Sequence, residues 1–156
     1  MRYGTVLSLN HDLEDVVDHW SSILPDLTIT DIMRHNDATP GPAGTALLIS
    51  FTLGGQTISV MHGPGDTINA AVSLEVRTDT QEESDRIYNA LLDGGSEMAC
   101  GWVTDRFGVA WQISPIELLA LVNDPDPNRA LAANRAMQEQ RRIDMGSIRA
   151  AVEAES

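Results

Sequence analysis

Apolar residues change period several times along the chain, and each change predicts an element. Residues 3–9 (YGTVLSL) read as a strand. Leu13, Val16, Val17, Trp20 and Leu24 then recur at helical spacing behind Asp12, a natural N-cap, until Pro25 closes the helix. Residues 27–33 alternate as a strand, and residues 36–44, with two prolines and two glycines, form a loop. Residues 45–53 and 56–61 flank Gly54-Gly55, a pair that supplies the positive φ angles of a two-residue hairpin turn. The run His62-Gly63-Pro64-Gly65 breaks the pattern.

The pattern then starts again. Residues 71–77 alternate, with Val72, Leu74 and Val76 on one face and Ala71, Ser73, Glu75 and Arg77 on the other. Thr80 and Glu83 make a capping box for a helix carrying Ile87, Leu91 and Leu92, ended by Gly94-Gly95. Strands are predicted at residues 98–103 and 109–114, joined by Asp105-Arg106-Phe107-Gly108, which has the residue preferences of a type I turn. Strand, helix and strands thus occur twice, over about residues 1–65 and 66–115, a repeat of element order rather than of residue identity.

After Pro115 the chain becomes helical. Residues 116–122 are helical or extended, and Asp124-Pro125-Asp126-Pro127 is a break in which Asp126 caps a helix and Pro127 takes its first position. A helix over residues 128–140 and a last one from Asp144, with Ile148, Ala151 and Val152 on one face, complete the chain. So short a tail is expected to form no core of its own and to pack on the preceding domain or on a second subunit. The expected class is α+β: a domain over residues 1–115 with a helical extension over 116–156.

Composition narrows the partners. At 156 residues and 42% apolar the chain suits one globular domain. Its 23 acidic residues face 10 basic ones, all arginine, for a formal charge of -13. Such a surface repels phosphate backbones and anionic lipid, which excludes nucleic acid and membrane as expected partners. No apolar run approaches 18 residues, and a cytoplasmic protein is expected. Without lysine, no side-chain Schiff base can form. Cys100 stands alone, so neither an intramolecular disulfide nor a thiolate metal cluster is available to it, and it reads as a small buried residue.

One run is far more specific than these patterns. Residues 100–115, CGWVTDRFGVAWQISP, resemble the signature of the PhnB-like branch of the vicinal oxygen chelate superfamily, whose members commonly carry the label 3-demethylubiquinone-9 3-methyltransferase. Supporting similarities are Leu13-Glu14-Asp15 followed by His19-Trp20, the Gly54-Gly55-Gln56 hairpin, residues 69–76, residues 79–83 and residues 123–127. Residues 36–44 find no counterpart. The resemblance implies paired βαβββ modules forming a curved mixed sheet around a cavity, assembled as a homodimer. It also implies a divalent metal held from the first and fourth strands of each module, at places that fall near Thr5, Ser59, Ala71 and Gln112. Those residues are poor ligands for a divalent ion, so no metal and no other cofactor is expected.

The same resemblance assigns Thr5, Leu7, Ser59, Met61, Ser73, Trp102 and Gln112 to a small organic ligand in the cavity between the modules. Glu75 is a candidate general base if it is buried without a cation, the alternative being a pair with Arg77. His62, at a strand end beside a turn, is a second acid–base candidate, with a solvated turn histidine as the alternative. His11 and His35 read as exposed, Asp105 and Gly108 as turn residues, and Trp111 and Ile113 as packed. Trp102 suits either ligand stacking or the core. Three functions fit: binding a small molecule, with or without metal-independent proton transfer; sequestering a cationic drug, as bleomycin-resistance proteins do; or methyl transfer as the label says. The last lacks a Gly-rich loop after a first strand and an acidic residue some 20 positions later.

Overall fold

The computed structural model describes residues 1, 3–63 and 68–155, so Pro64 and Gly65 of the predicted break lie outside the described residues. Two compact units result, Met1–Ile68 and Asn69–Ser156. In the first unit the elements are β1 (Thr5–Leu9), α1 (Leu13–Ile23), β2 (Thr28–Arg34), β3 (Ala46–Leu53) and β4 (Gln56–His62). Its sheet has the order β1-β4-β3-β2, with β1 parallel to β4 and the other pairs antiparallel. Asp12 caps α1 by accepting from the backbone N–H groups of Glu14 and Asp15. Gly54 and Gly55 take φ of 55° and 82°, the two positive values that let β3 and β4 meet through two residues.

The second unit repeats the order: β5 (Ser73–Thr78), α2 (Gln81–Leu92), β6 (Ser96–Glu97), β7 (Trp102–Thr104) and β8 (Ala110–Pro115), in a sheet ordered β5-β8-β7-β6. β5 runs parallel to β8. Thr80 caps α2 through the Glu83 N–H at 3.2 Å. The strand predicted over residues 98–103 is not continuous. Cys100 sits at φ 59° and Gly101 at φ 80°, a left-handed pair that ends pairing after Glu97 and resumes it only at Trp102.

In each unit one sheet face packs on its helix. Leu7, Leu9, Ile49, Phe51, Ile58 and Val60 are buried in the first, as are Val16, Val17 and Trp20 of α1, and Trp20 meets Phe51 edge to face at 6.0 Å. Leu74, Val103, Trp111 and Ile113 are buried in the second, together with Ile87, Tyr88 and Leu91 of α2.

The C-terminal helices α3 (Glu117–Val122), α4 (Pro127–Gln138) and α5 (Met145–Glu153) correct one expectation. They enclose a small core of their own, built from Leu118, Ala133, Ile143, Met145, Ile148 and Val152. They are also fastened to the second module. The Gln81 side chain donates to the Ile143 carbonyl at 2.7 Å and accepts from the Met145 N–H at 3.0 Å, while the N–H groups of Cys100 and Gly101 donate to the carbonyls of Gln140 and Arg141.

Three carboxylates hold this tail at its joints. The Arg149 guanidinium meets Glu117 at 2.8 Å through two hydrogen bonds and holds its carboxyl below the usual range. Asp124 is lowered by the Asp126 N–H and then by Arg129, and Asp144, the α5 cap, by the Ser147 hydroxyl and then the Gly146 N–H. Since each folded pKa lies below its unfolded value, this stabilisation is complete above the ordinary carboxylate pKa of about 4 and disappears as pH falls through the folded values. Acid titration followed by hydrogen exchange is therefore expected to free α4 and α5 below about pH 4 before either sheet loosens. Simultaneous loss of tail and sheets would contradict it.

Candidate functional site

Register decides which residues share the sheet face left free by the helix. In the second unit Ser73 lies beside Ala110, Glu75 beside Gln112, and Trp102 on the other side of Gln112. Ser73, Glu75, Arg77, Trp102 and Gln112 therefore occupy one face, opposite Leu74, Val76, Trp111 and Ile113. The Gln112 amide donates to the Ser73 hydroxyl at 2.7 Å. Glu75 meets Arg77 at 2.9 Å, and both side chains are about 44% exposed. Glu75 is thus a solvated ion pair, not a buried carboxyl without a cation. Trp102 is half-buried, and its carbonyl receives the Tyr88 hydroxyl at 3.5 Å; burial pushes the Tyr88 phenol up, so it stays a neutral donor.

The first unit divides the predicted residues. Ser59 and Met61 share the free face with Val6 and Ser8, whereas Thr5 and Leu7 pair with Ile58 and Val60 on the face that packs on α1. Leu7 is buried there and is out of reach of a ligand on the free face. The Ser59 hydroxyl is engaged with that of Ser50 at 2.8 Å. His62 pairs with Leu9, so it too belongs to the helix side and not with Ser59 and Met61.

Turned to that side, His62 meets a residue read from the sequence as exposed. His35 is only 5% exposed, and its ring stands nearly perpendicular to that of His62 with centroids 5.8 Å apart. His11, His35 and His62 together line a cavity of about 320 Å³, with Asn10, Asp12 and Thr45 also in its wall. No period or motif could have revealed this cluster, because its members come from the entry to α1, the end of β2 and the end of β4.

The donor set does not fit the divalent metal implied by the fold. Ala71 precedes β5 and has no donor atom in its side chain, Thr5 lies on the wrong face, and Ser59 and Gln112 are hydrogen-bonded to Ser50 and Ser73. Among the described residues, no group of three or more His, Cys, Asp or Glu is arranged to hold a metal ion. No described helix is long and apolar enough to cross a membrane.

Comparison with known proteins agrees with the geometry. A PhnB protein from Bacillus cereus is similar at 26% identity and a TM-score of 0.66, over 74% of this chain and 99% of that one. Protein PA1353 from Pseudomonas aeruginosa matches at 23% identity and a TM-score of 0.60, over 71% and 94% of the two chains. The fosfomycin resistance protein FosX from Mesorhizobium loti matches at 13% identity and a TM-score of 0.51, over 77% and 97%, a likeness of fold alone. No curated protein matches the chain. Residues 2–114 match the family described as 3-demethylubiquinone-9 3-methyltransferase. With both modules of the glyoxalase and bleomycin resistance fold in place, the chain belongs to that family, the PhnB-like branch of the vicinal oxygen chelate superfamily.

Proposed function

We propose that this protein binds a small organic molecule on the free faces of its sheets without a divalent metal, as a homodimer in the cytoplasm. The observation that carries the reading is the Gln112–Ser73 hydrogen bond at 2.7 Å, formed where a metal ligand of the family would stand. Around it lie the Glu75–Arg77 pair and the half-buried indole of Trp102. Such a face offers an amide and a hydroxyl to orient a polar group, one ion pair to recognise charge, and one aromatic surface to stack on. Glu75, held by Arg77 and open to water, is better suited to recognition than to proton abstraction. Ser59 and Met61 supply the equivalent, less polar surface of the first module.

Three sets of measurements test this. Purified protein is expected to carry no stoichiometric metal and to show no rise in melting temperature with Mg²⁺, Mn²⁺, Ni²⁺ or Zn²⁺; a stoichiometric ion that raised it by several degrees would refute the metal-free reading. In a screen of small organic fragments by NMR, binders are expected to shift the Trp102 indole and the Gln112 side-chain amide while leaving buried Trp111 unmoved. A Gln112→Ala change should weaken such binders by about five- to tenfold, the worth of one neutral hydrogen bond. A sedimentation mass equal to one chain would remove the dimer from the proposal.

A further inference from the structure

The cavity walled by His11, His35 and His62 is lined by none of the residues named on the free sheet faces, and its chemistry is fixed by the loop that had no counterpart in the family resemblance. Thr39 in that loop donates its hydroxyl proton to the Asn36 carbonyl at 2.9 Å and accepts from the Asn36 N–H at 2.8 Å. The same oxygen lies 3.1 Å from Nδ1 of His35. A hydroxyl has one proton; with it directed to the Asn36 carbonyl, the contact to His35 is made by the imidazole Nδ1–H donating to Thr39. In the neutral imidazole this places the proton on Nδ1 and leaves the lone pair on Nε2.

Gly41 secures the ring. A Cβ at residue 41 would collide with Cε1, Nε2 and Cδ2 of His35, so the glycine backbone lies directly against the imidazole. The result is a side chain more than nine-tenths buried that lines a cavity of about 320 Å³, with Nδ1 held by Thr39 and Nε2 without a hydrogen-bond partner among the described residues. The wall also carries Asp12, whose Oδ1 caps α1, and Thr45. Arg34, next to His35, is paired with Glu14 at 2.9 Å and donates to the Gly44 carbonyl, so it brings no spare positive charge.

We infer that this cavity is a second binding site, for a small organic ammonium whose N–H group donates to His35 Nε2. An acceptor nitrogen and a carboxylate select a donor and a cation, and the chain's charge of -13 favours the same guest. A carboxylate or phosphate ligand would face lone pairs and negative charge instead.

The probes are benzylammonium, benzyl alcohol, benzoate and zinc ion alone, titrated into ¹⁵N-histidine-labelled full chain at neutral pH. The free protein is expected to give the Nδ1–H pattern for His35. Benzylammonium is expected to bind saturably and shift His35 Nε2, more tightly than benzyl alcohol, with benzoate showing no binding. A His35→Phe variant, which keeps a flat ring against Gly41, should lose at least tenfold in benzylammonium affinity. An Nε2–H pattern for wild-type His35 would overturn the proposal without reference to any variant. Benzoate binding as tightly as benzylammonium, saturation by zinc alone at one equivalent, or no binding by any probe would each overturn it as well. None of these outcomes bears on Gln112 or Trp102, so the reading of the free sheet faces stands or falls separately.

Discussion

Replacing Asp105 with alanine should destabilise the protein by about 3–5 kcal/mol, measured by equilibrium denaturation. The side chain is 3% exposed and sits at the head of the β7–β8 turn. One carboxylate oxygen accepts from the N–H groups of Phe107 and Val109 at 2.9 and 3.0 Å, and the other accepts from the indole N–H of Trp111 at 2.9 Å. Charged acceptors make such bonds worth more than neutral ones, and truncation leaves buried donors without partners. Asparagine separates the two halves of the argument. Its amide oxygen can still serve Phe107 and Val109, but its NH₂ group cannot accept from Trp111, so Asp105→Asn should cost about 2 kcal/mol. A double-mutant cycle with Trp111→Phe should then give a coupling of about 1–3 kcal/mol; additivity within a few tenths would show that the indole bond contributes nothing.

That prediction reassigns the longest recognisable run in the sequence. Residues 100–115 identified the family, yet most of their side chains build the fold: Asp105 and Gly108 shape a turn, Trp111 and Ile113 fill the core, and Gly101 meets the tail. On the free face the run places Trp102 and Gln112, flanked by Thr104, Ala110 and Ser114. A motif can thus be long and specific because a tight hairpin constrains many residues at once.

What the sequence made legible was whatever depends on local chemistry. Asp12, Thr80 and Asp126 cap the helices they were expected to cap, Asp144 caps the helix expected to begin there, and Gly54-Gly55 turns the hairpin. The second-module face was readable because β5 alternates cleanly, polar Ser73, Glu75 and Arg77 against apolar Leu74 and Val76. β1 was not readable. In Thr5-Val6-Leu7-Ser8-Leu9 both faces contain an apolar residue, and a phase error of one residue exchanges them. Pairing with β4 settles the phase by burying Leu7 and Leu9, which puts Val6 and Ser8 where Thr5 and Leu7 were expected. His35 was hidden for a different reason, since its burial depends on the 36–44 loop folding back so that Gly41 covers the ring. Local propensity carries no information about such a contact.

The tail's attachment gives the other large effect: Gly101→Ala should cost about 3 kcal/mol or more, the sum of a left-handed backbone penalty of about 1–2 and an overpacking term of similar size. At φ 80° an alanine is strained whatever the space, and here its Cβ would lie 2.6 Å from the Ile113 carbonyl and 2.9 Å from Cγ1 of Ile143. The first neighbour is backbone of β8 and cannot swing aside. The second belongs to the core enclosed by the C-terminal helices, so relief must come from moving that segment away and weakening the Gly101 N–H bond to Arg141. Hydrogen exchange in α5 should therefore rise in this variant beyond what the global loss explains. Cys100 supplies the control, because it holds φ 59° with a side chain already present. Exchanging it for glycine relieves that strain while adding unfolded-state entropy, and stability should stay within about 1 kcal/mol of the parent. If Gly101→Ala proved as mild as Cys100→Gly, with α5 unchanged in exchange, the junction would not be what holds the tail on the second module.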